Sequence, residues 1–156
     1  MALISKKARY ALHGLGYIAR HSDGEPVPFN TILLYLKAYS KHLSLSPGYI
    51  AKVFQEVSRA GLTEAVSGPH GGYRLARRPQ EIHLIEIIEA VDGPQRTACC
   101  LLSMGECDQQ GECGVGAVVR QAEQVFYDFF RTETVATLAR KMKFPDLSQL
   151  SGPRRR

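Results

Sequence analysis

With 156 residues, 44% of them hydrophobic, the chain has material for one modest core, or a small domain with an extension. The formal charge of +5 is unevenly spread: residues 1–80 hold 11 Lys/Arg against 4 Asp/Glu, net +7, and residues 81–156 hold 9 against 11, net −2. No stretch approaches the roughly 20 apolar residues of a membrane span, and the basic start, interrupted by His13, offers no small-residue cleavage site. A soluble, cytoplasmic protein with reduced thiols is expected, with no membrane partner.

From Ser5 to His21, Ala8, Ala11, Leu12, Leu15 and Ile18 recur at helical spacing, predicting an amphipathic helix that ends at Ser22-Asp23-Gly24. A second helix opens at Val27-Pro28-Phe29-Asn30, with Asn30 or Thr31 as cap and Phe29, Ile32, Leu33, Leu36 and Tyr39 as its apolar face. Its end falls near Lys41-His42. Leu45-Ser46-Pro47-Gly48 is a clear start signal for a third helix, with Ser46 as cap, Pro47 at the first helical position, and Ile50, Val53, Phe54 and Val57 on one face. Gly61 ends it.

The segments LTEAVSG and GGYRLAR flank Gly68-Pro69-His70-Gly71-Gly72 and predict a β-hairpin. Three helices and a hairpin, with basic residues close to the third helix, make a winged helix-turn-helix, whose last helix enters the major groove. Double-stranded DNA is therefore the leading partner for the basic half, the bland alternative being basicity for solubility alone. A further short helix, EIHLIEIIEAVDG, carries Ile82, Leu84, Ile85, Ile87 and Ile88 and stops at Gly93-Pro94. The run GVGAVVRQAEQVFYDFFRTETVATLARKM then predicts one long helix with a broad apolar stripe over Val115, Val118, Val119, Ala122, Val125, Phe126, Phe129 and Phe130. That is more apolar surface than a domain of this size easily covers, so a homodimer interface is expected, an intrachain core helix being the alternative. The expected architecture is mostly α with a small β-hairpin wing. Residues 1–80 form the DNA-binding domain, 81–145 a sensor loop and dimerisation helices, and 146–156 a flexible basic tail.

All four cysteines, Cys99, Cys100, Cys107 and Cys113, fall within fifteen residues of loop-like sequence. Thiols gathered this tightly in a reducing compartment suggest a metal or redox site rather than a disulfide framework. The absence of paired C-x2-C spacing argues against structural zinc, although a zinc site and a thiol-disulfide switch remain open. No ferredoxin spacing, nucleotide loop or acid-base constellation appears, so an electron carrier or an enzyme is not expected; a protein adaptor without DNA binding is the remaining alternative.

Five motifs together, KARYALHGL, SPGYIAKVFQEVSRAGL, SGPHGGYRLAR, IIEAVDG and the cysteine loop, make the chain resemble a family over residues 3 to about 141. It is the bacterial winged-helix repressor family of the iron-sulfur regulator IscR, the nitric-oxide sensor NsrR, the iron regulator RirA and the cysteine-metabolism regulator CymR. The resemblance implies a homodimer built through the helix from Gly116 to Arg131, acting as a repressor on a partly palindromic operator. It places the DNA-reading surface at Ser46, Gly48, Tyr49 and Lys52, with Gln55 and Arg59 further along. Helix-start amides and short polar side chains suit phosphate, and Lys, Gln and Tyr reach base edges; core packing is the alternative for Tyr49. In the wing, Gly68, Gly71 and Gly72 would admit the DNA backbone, or serve the turn alone, with His70, Arg74, Arg77 and Arg78 near phosphate.

The resemblance also implies that three loop thiolates hold an iron-sulfur cluster, 2Fe-2S or 4Fe-4S, sensing iron, oxygen, redox state or nitric oxide. Cys99, Cys107 and Cys113, with seven and then five intervening residues, are similar in spacing to RirA-type members; Cys100 is an alternate ligand or a small buried residue. The fourth ligand is open. Gly116 stands where IscR-like members have a histidine, and Arg9 where NsrR-like members have an acid; His13 occupies the place of a first-helix histidine used by some two-iron members, or is an ordinary helix histidine. Glu106, Asp108 and Glu112 are further oxygen candidates, with solvated loop charges as the leading alternative. The chain is also longer than its relatives between Pro28 and Ser46 by about two helical turns, which extends the second helix or the turn before the third.

Overall fold

A computed structural model describes residues 4–40, 45–94, 114–145 and 147. Helix α1 (Lys6–His21) is started by Ser5, whose hydroxyl accepts a hydrogen bond from the Ala8 amide at 3.0 Å. It is the central element, packed by α2 (Phe29–Tyr39), α3 (Pro47–Arg59), α4 (Leu84–Asp92) and α6 (Val135–Lys141). Two glycines permit this crowding. A Cβ at Gly14 would lie 2.6 Å from the Phe54 ring of α3, and one at Gly16 would lie 2.6 Å from the Met142 sulfur.

The start of α2 differs from the expected Asn30 or Thr31 cap. The helix begins at Phe29 with Pro28 in the cap position, and the Thr31 and Ile32 amides donate to the Pro28 carbonyl at 3.0 and 3.2 Å. Proline's fixed φ places that carbonyl without help from a side chain. The helix ends at Tyr39, and residues 40–46 join it to α3. Ser46 and Pro47 open α3 where expected, but no hydrogen bond from the Ser46 side chain caps it; Tyr49 and Ile50 amides donate to the Ser46 carbonyl. Ile50, Val53, Phe54 and Val57 are fully buried.

Strands β1 (Thr63–Val66) and β2 (Gly72–Leu75) pair antiparallel, with Glu64 opposite Arg74. The residue before Pro28 extends this hairpin: Val27 exchanges two backbone hydrogen bonds with Tyr73, at 2.8 and 2.9 Å. A Cβ at Gly72 would come within 2.1 Å of the Val27 carbonyl oxygen, so this glycine is set by the sheet contact.

After a single 3-10 turn at Pro79–Glu81, Ile82, Leu84, Ile85, Ile87, Ile88 and Val91 are buried as α4 closes the core. Gly93, with φ of 85°, ends it.

The long C-terminal helix of the sequence reading is two helices. α5 (Gly114–Thr132) stops, the chain extends through Glu133, and α6 starts afresh from Thr134. Thr134 and Thr137 cap one another reciprocally, the Thr134 amide donating to the Thr137 hydroxyl at 3.0 Å and the Thr137 amide to the Thr134 hydroxyl at 3.4 Å. The Leu84 amide donates to the Glu133 carbonyl and the Val135 amide to the Ile82 carbonyl, binding this junction to the root of α4. Val135 and Ala139 consequently join the buried set, while on α5 Gly116 alone is buried.

Candidate nucleic-acid interface and the anchors of the cysteine loop

The four residues Gly48, Lys52, Gln55 and Arg59 follow one another at helical i+3/i+4 spacing and are exposed, opposite the buried apolar face of α3. Ser46 and Tyr49 are exposed beside them. Tyr49 answers both readings made of it: its ring stands edge-on to the buried Tyr10 ring at 6.2 Å, yet 40% of the residue stays exposed. It is braced rather than buried. Burial, followed by the neighbouring Tyr49, holds the Tyr10 phenol above its ordinary range.

The one acid of α3, Glu56, is held by Lys7 of α1 at 2.9 Å. Lys52, Gln55 and Arg59 make no side-chain hydrogen bond or ion pair among the described residues. The outer face of α3 therefore presents two uncompensated cations and an amide on a rigid helix, a combination suited to phosphate and base edges.

The wing is built differently. Its tip is a turn closed by the Gly71 amide donating to the Gly68 carbonyl at 2.9 Å, with exposed His70 between them. A Cβ at Gly71 would lie 2.3 Å from the Val66 carbonyl oxygen, so this glycine also serves the turn itself. Arg74 is half exposed and pairs across the hairpin with Glu64 at 2.8 Å. Arg77 turns back to α4, donating to Glu86 and to the Glu81 carbonyl, and Arg78 pairs with Glu81 in the 3-10 turn. These exposed pairs are worth little energetically. They nevertheless aim Arg77 and Arg78 at carboxylates of their own chain, a pairing the sequence reading missed.

The expected ligands Cys99, Cys100, Cys107 and Cys113, with Glu106, Asp108 and Glu112, lie outside the described residues, as does the tail apart from residue 147. What is described is the pair of anchors: α4, ending at Gly93, and α5, beginning at Gly114. Helix α4 packs against α1, α3 and α5. Among the described residues no group of three or more His, Cys, Asp or Glu side chains converges.

His13 lies on the wall of an apolar cavity of about 290 Å³ shared with Leu12, Leu84, Phe129 and Phe130. Its Nδ1 is hydrogen-bonded with the Tyr35 hydroxyl at 3.0 Å, and its ring lies tilted by 37° against the Tyr39 ring, with centroids 3.8 Å apart. Burial, and then the charge of Arg9, lower its pKa to about 4, so at neutral pH it is an uncharged imidazole.

A family model described as iron-dependent transcriptional regulator, Rrf2, matches residues 4–141. The chain belongs to the Rrf2 family. The regulator IscR of Vibrio parahaemolyticus is 30% identical over 135 residues, covering 86% of this Rrf2 chain and 76% of that protein. The structure of CymR, the global cysteine regulator of B. subtilis, matches with a TM-score of 0.71 at 23% identity, covering 92% of this chain and all of that one. T. potens IscR matches with a TM-score of 0.65 at 21% identity, over 90% and 91% of the two chains. The fold is that of the Rrf2 winged-helix regulators, mostly α with a β-hairpin wing, and the chain is a DNA-binding transcriptional regulator, not an enzyme.

Proposed function

We propose that this Rrf2 regulator is a homodimeric repressor whose affinity for a partly palindromic operator is set by an iron-sulfur cluster on the loop between α4 and α5. The observation that carries this reading is the placement of α4, which feeds the loop from its C-terminal end and packs on the recognition helix α3 along its side. A change of constraint at the loop therefore reaches α3 through one rigid, buried element.

Cys99, Cys107 and Cys113 would hold the group, with Cys100 as alternate; three soft thiolates suit 2Fe-2S or 4Fe-4S iron. When bound, the group supplies a centre responsive to oxygen, nitric oxide, redox state or iron supply. His13 fits as fourth donor in charge, because it is neutral, and the tautomer that donates Nδ1–H to the Tyr35 hydroxyl would leave a lone pair on Nε2.

On DNA, Ser46, Gly48 and Tyr49 position the helix start, Lys52 and Gln55 read base edges, and Arg59, with His70, Gly71 and Arg74 of the wing, meets phosphate; Arg77 joins them only by exchanging Glu86 for phosphate. Residues 1–80 are thus the DNA-binding domain and 81–145 the sensor and dimerisation region, followed by the basic tail. Dimerisation is supported by α5, where Val115, Val118, Ala122, Val125 and Phe129 repeat at three- and four-residue steps and are all exposed, Val118 and Val125 at 66% and 68%. That spacing is a coiled-coil seam. No helix among the described residues is long and apolar enough to cross a membrane, which is consistent with a cytoplasmic location.

The test is an anaerobic absorption spectrum with iron and sulfide analysis on the wild type and on Cys107→Ala. A visible chromophore in the wild type that is lost in Cys107→Ala is expected. A wild type that stays colourless after reconstitution would replace the cluster by a zinc site or thiol switch.

A further inference from the structure

We propose that the cleft between the end of α1, the 3-10 turn and α6 binds a small, multiply charged oxyanion, a phosphorylated or polycarboxylate metabolite. The cleft encloses about 700 Å³, and its walls include Arg20 and His21 of α1, Gln80 of the turn, Arg140 of α6, and Met142 and Phe144 beyond it; among the described residues no carboxylate lines it. Its two arginines stand apart from the basic residues around them. Arg77 and Arg78 each have a glutamate, and Lys141, next in sequence to Arg140, holds Glu133 at 2.9 Å. Arg20 and Arg140 are exposed and form no ion pair among the described residues. Two guanidinium groups without a salt-bridged carboxylate among the described residues, Arg140 feeling Glu133 only at longer range, are a receptor for fork-like oxyanions.

A third polar side chain is held ready. His21 Nδ1 donates to the Tyr17 carbonyl at 3.0 Å, and the ring is stacked on Tyr17 at 4.1 Å with the Phe144 ring edge-on at 5.1 Å. This fixes the imidazole and leaves Nε2 without a partner among the described residues, so little ordering accompanies binding.

The position of the cleft favours a small ligand over a DNA backbone. Strand β2 runs from Gly72 beside the wing tip to Leu75, and the 3-10 turn follows it, so the cleft lies at the root of the wing. Because Arg20 and Arg140 come from opposite halves of the chain, an oxyanion between them ties α6 to α1 and acts as an effector of DNA binding. This inference does not depend on the cysteine loop.

The experiment is calorimetric titration of the full chain with sodium pyrophosphate and with citrate at constant ionic strength. Wild type, Arg20→Gln/Arg140→Gln, Arg140→Glu and Lys52→Ala/Arg59→Ala are compared, each checked for folding by circular dichroism. Binding of either probe by the wild type, weakened by roughly tenfold or more in both cleft variants and unchanged in Lys52→Ala/Arg59→Ala, is expected; the tighter probe identifies the ligand class. No binding by the wild type, undiminished binding in the cleft variants, or loss in Lys52→Ala/Arg59→Ala would overturn the proposal. The last result would assign the anion to the DNA-reading face.

Discussion

Helices α3 and α5 are both strongly amphipathic, and their exposed faces are opposites. On α3 the apolar residues Ile50, Val53, Phe54 and Val57 are completely buried, and what remains outside includes Lys52, Gln55 and Arg59, with the half-exposed Tyr49 beside them. On α5 an inner set, Val119, Phe126 and Phe130, is half buried, while Val115, Val118, Ala122, Val125 and Phe129 form a second apolar row that the chain leaves bare. An amphipathic pattern therefore says that a helix has a partner face; exposure says whether that partner belongs to the same chain. A bare polar, cationic face calls for a polyanion, and a bare apolar row calls for another protein surface.

The largest expected effect comes from breaking the buried side of α3. Phe54→Ala removes a fully buried ring that also fills the space left by Gly14, and is expected to destabilise the fold by about 3–5 kcal/mol, read as a lowered denaturant midpoint with DNA binding lost in parallel. Breaking the bare side of α5 has a different signature. Val118→Glu with Val125→Glu replaces two exposed residues, so the protomer stays folded but sediments as a monomer and loses operator affinity by about a hundredfold or more as the two heads uncouple. Full affinity with retained dimer mass would refute the α5 seam.

Smaller effects separate the recognition helix from the wing. Lys52→Ala, with no partner to lose among the described residues, is expected to weaken operator binding about tenfold without shifting the melting temperature. Arg74→Ala is expected to weaken it by only about threefold, because Glu64 already offsets that charge. Fluorescence anisotropy on one duplex ranks the two; equal losses would mean that Arg74 exchanges Glu64 for phosphate.

The smallest effect is one of pH. His13 has a folded-state pKa of about 4, below its unfolded value near 6.5, so the unfolded chain takes up the proton first as pH falls. Its neutral, buried form favours the fold fully above about pH 6.5, and this contribution is lost progressively down to about pH 4. His13→Phe should flatten the fall in melting temperature between pH 6.5 and 5; an unchanged profile would assign the acid sensitivity to other groups.

Much of this architecture was legible in the sequence, for physical reasons that vary by element. Helices α1 and α3 announced themselves through full apolar faces, Ser5 and Ser46-Pro47 at their starts, and Gly61 at the end of α3. The break between α5 and α6 did not, because apolar residues continue at helical spacing on both sides of Thr132. Its one local signal was the Thr134/Thr137 pair, which caps a helix only when the preceding residue can extend, and here that extension is held by Ile82 and Leu84 in a distant segment. Pro28 as the start of α2 was obscured by the better-known cap Asn30, which is exposed inside the helix.

The α3 face was readable residue by residue, since the family resemblance singles out Gly48, Lys52, Gln55 and Arg59 and helix periodicity puts them together. The wing was not. Whether an arginine is free depends on acids elsewhere in the fold, and Glu81 and Glu86 capture Arg77 and Arg78 from beyond the hairpin. The surroundings of His13 were likewise invisible: Tyr35 and Tyr39 reach it from α2, and nothing in the local sequence of α1 signals either.

The most direct test of loop-controlled DNA binding is an anaerobic anisotropy titration of a duplex recovered by in vitro selection. It compares iron- and sulfide-reconstituted wild type, metal-free wild type and Cys107→Ala. The expected result is an affinity difference of about tenfold or more between the two wild-type forms, with Cys107→Ala fixed at the metal-free value under both treatments. Identical affinities for all three would contradict control of the recognition helix by the cysteine loop.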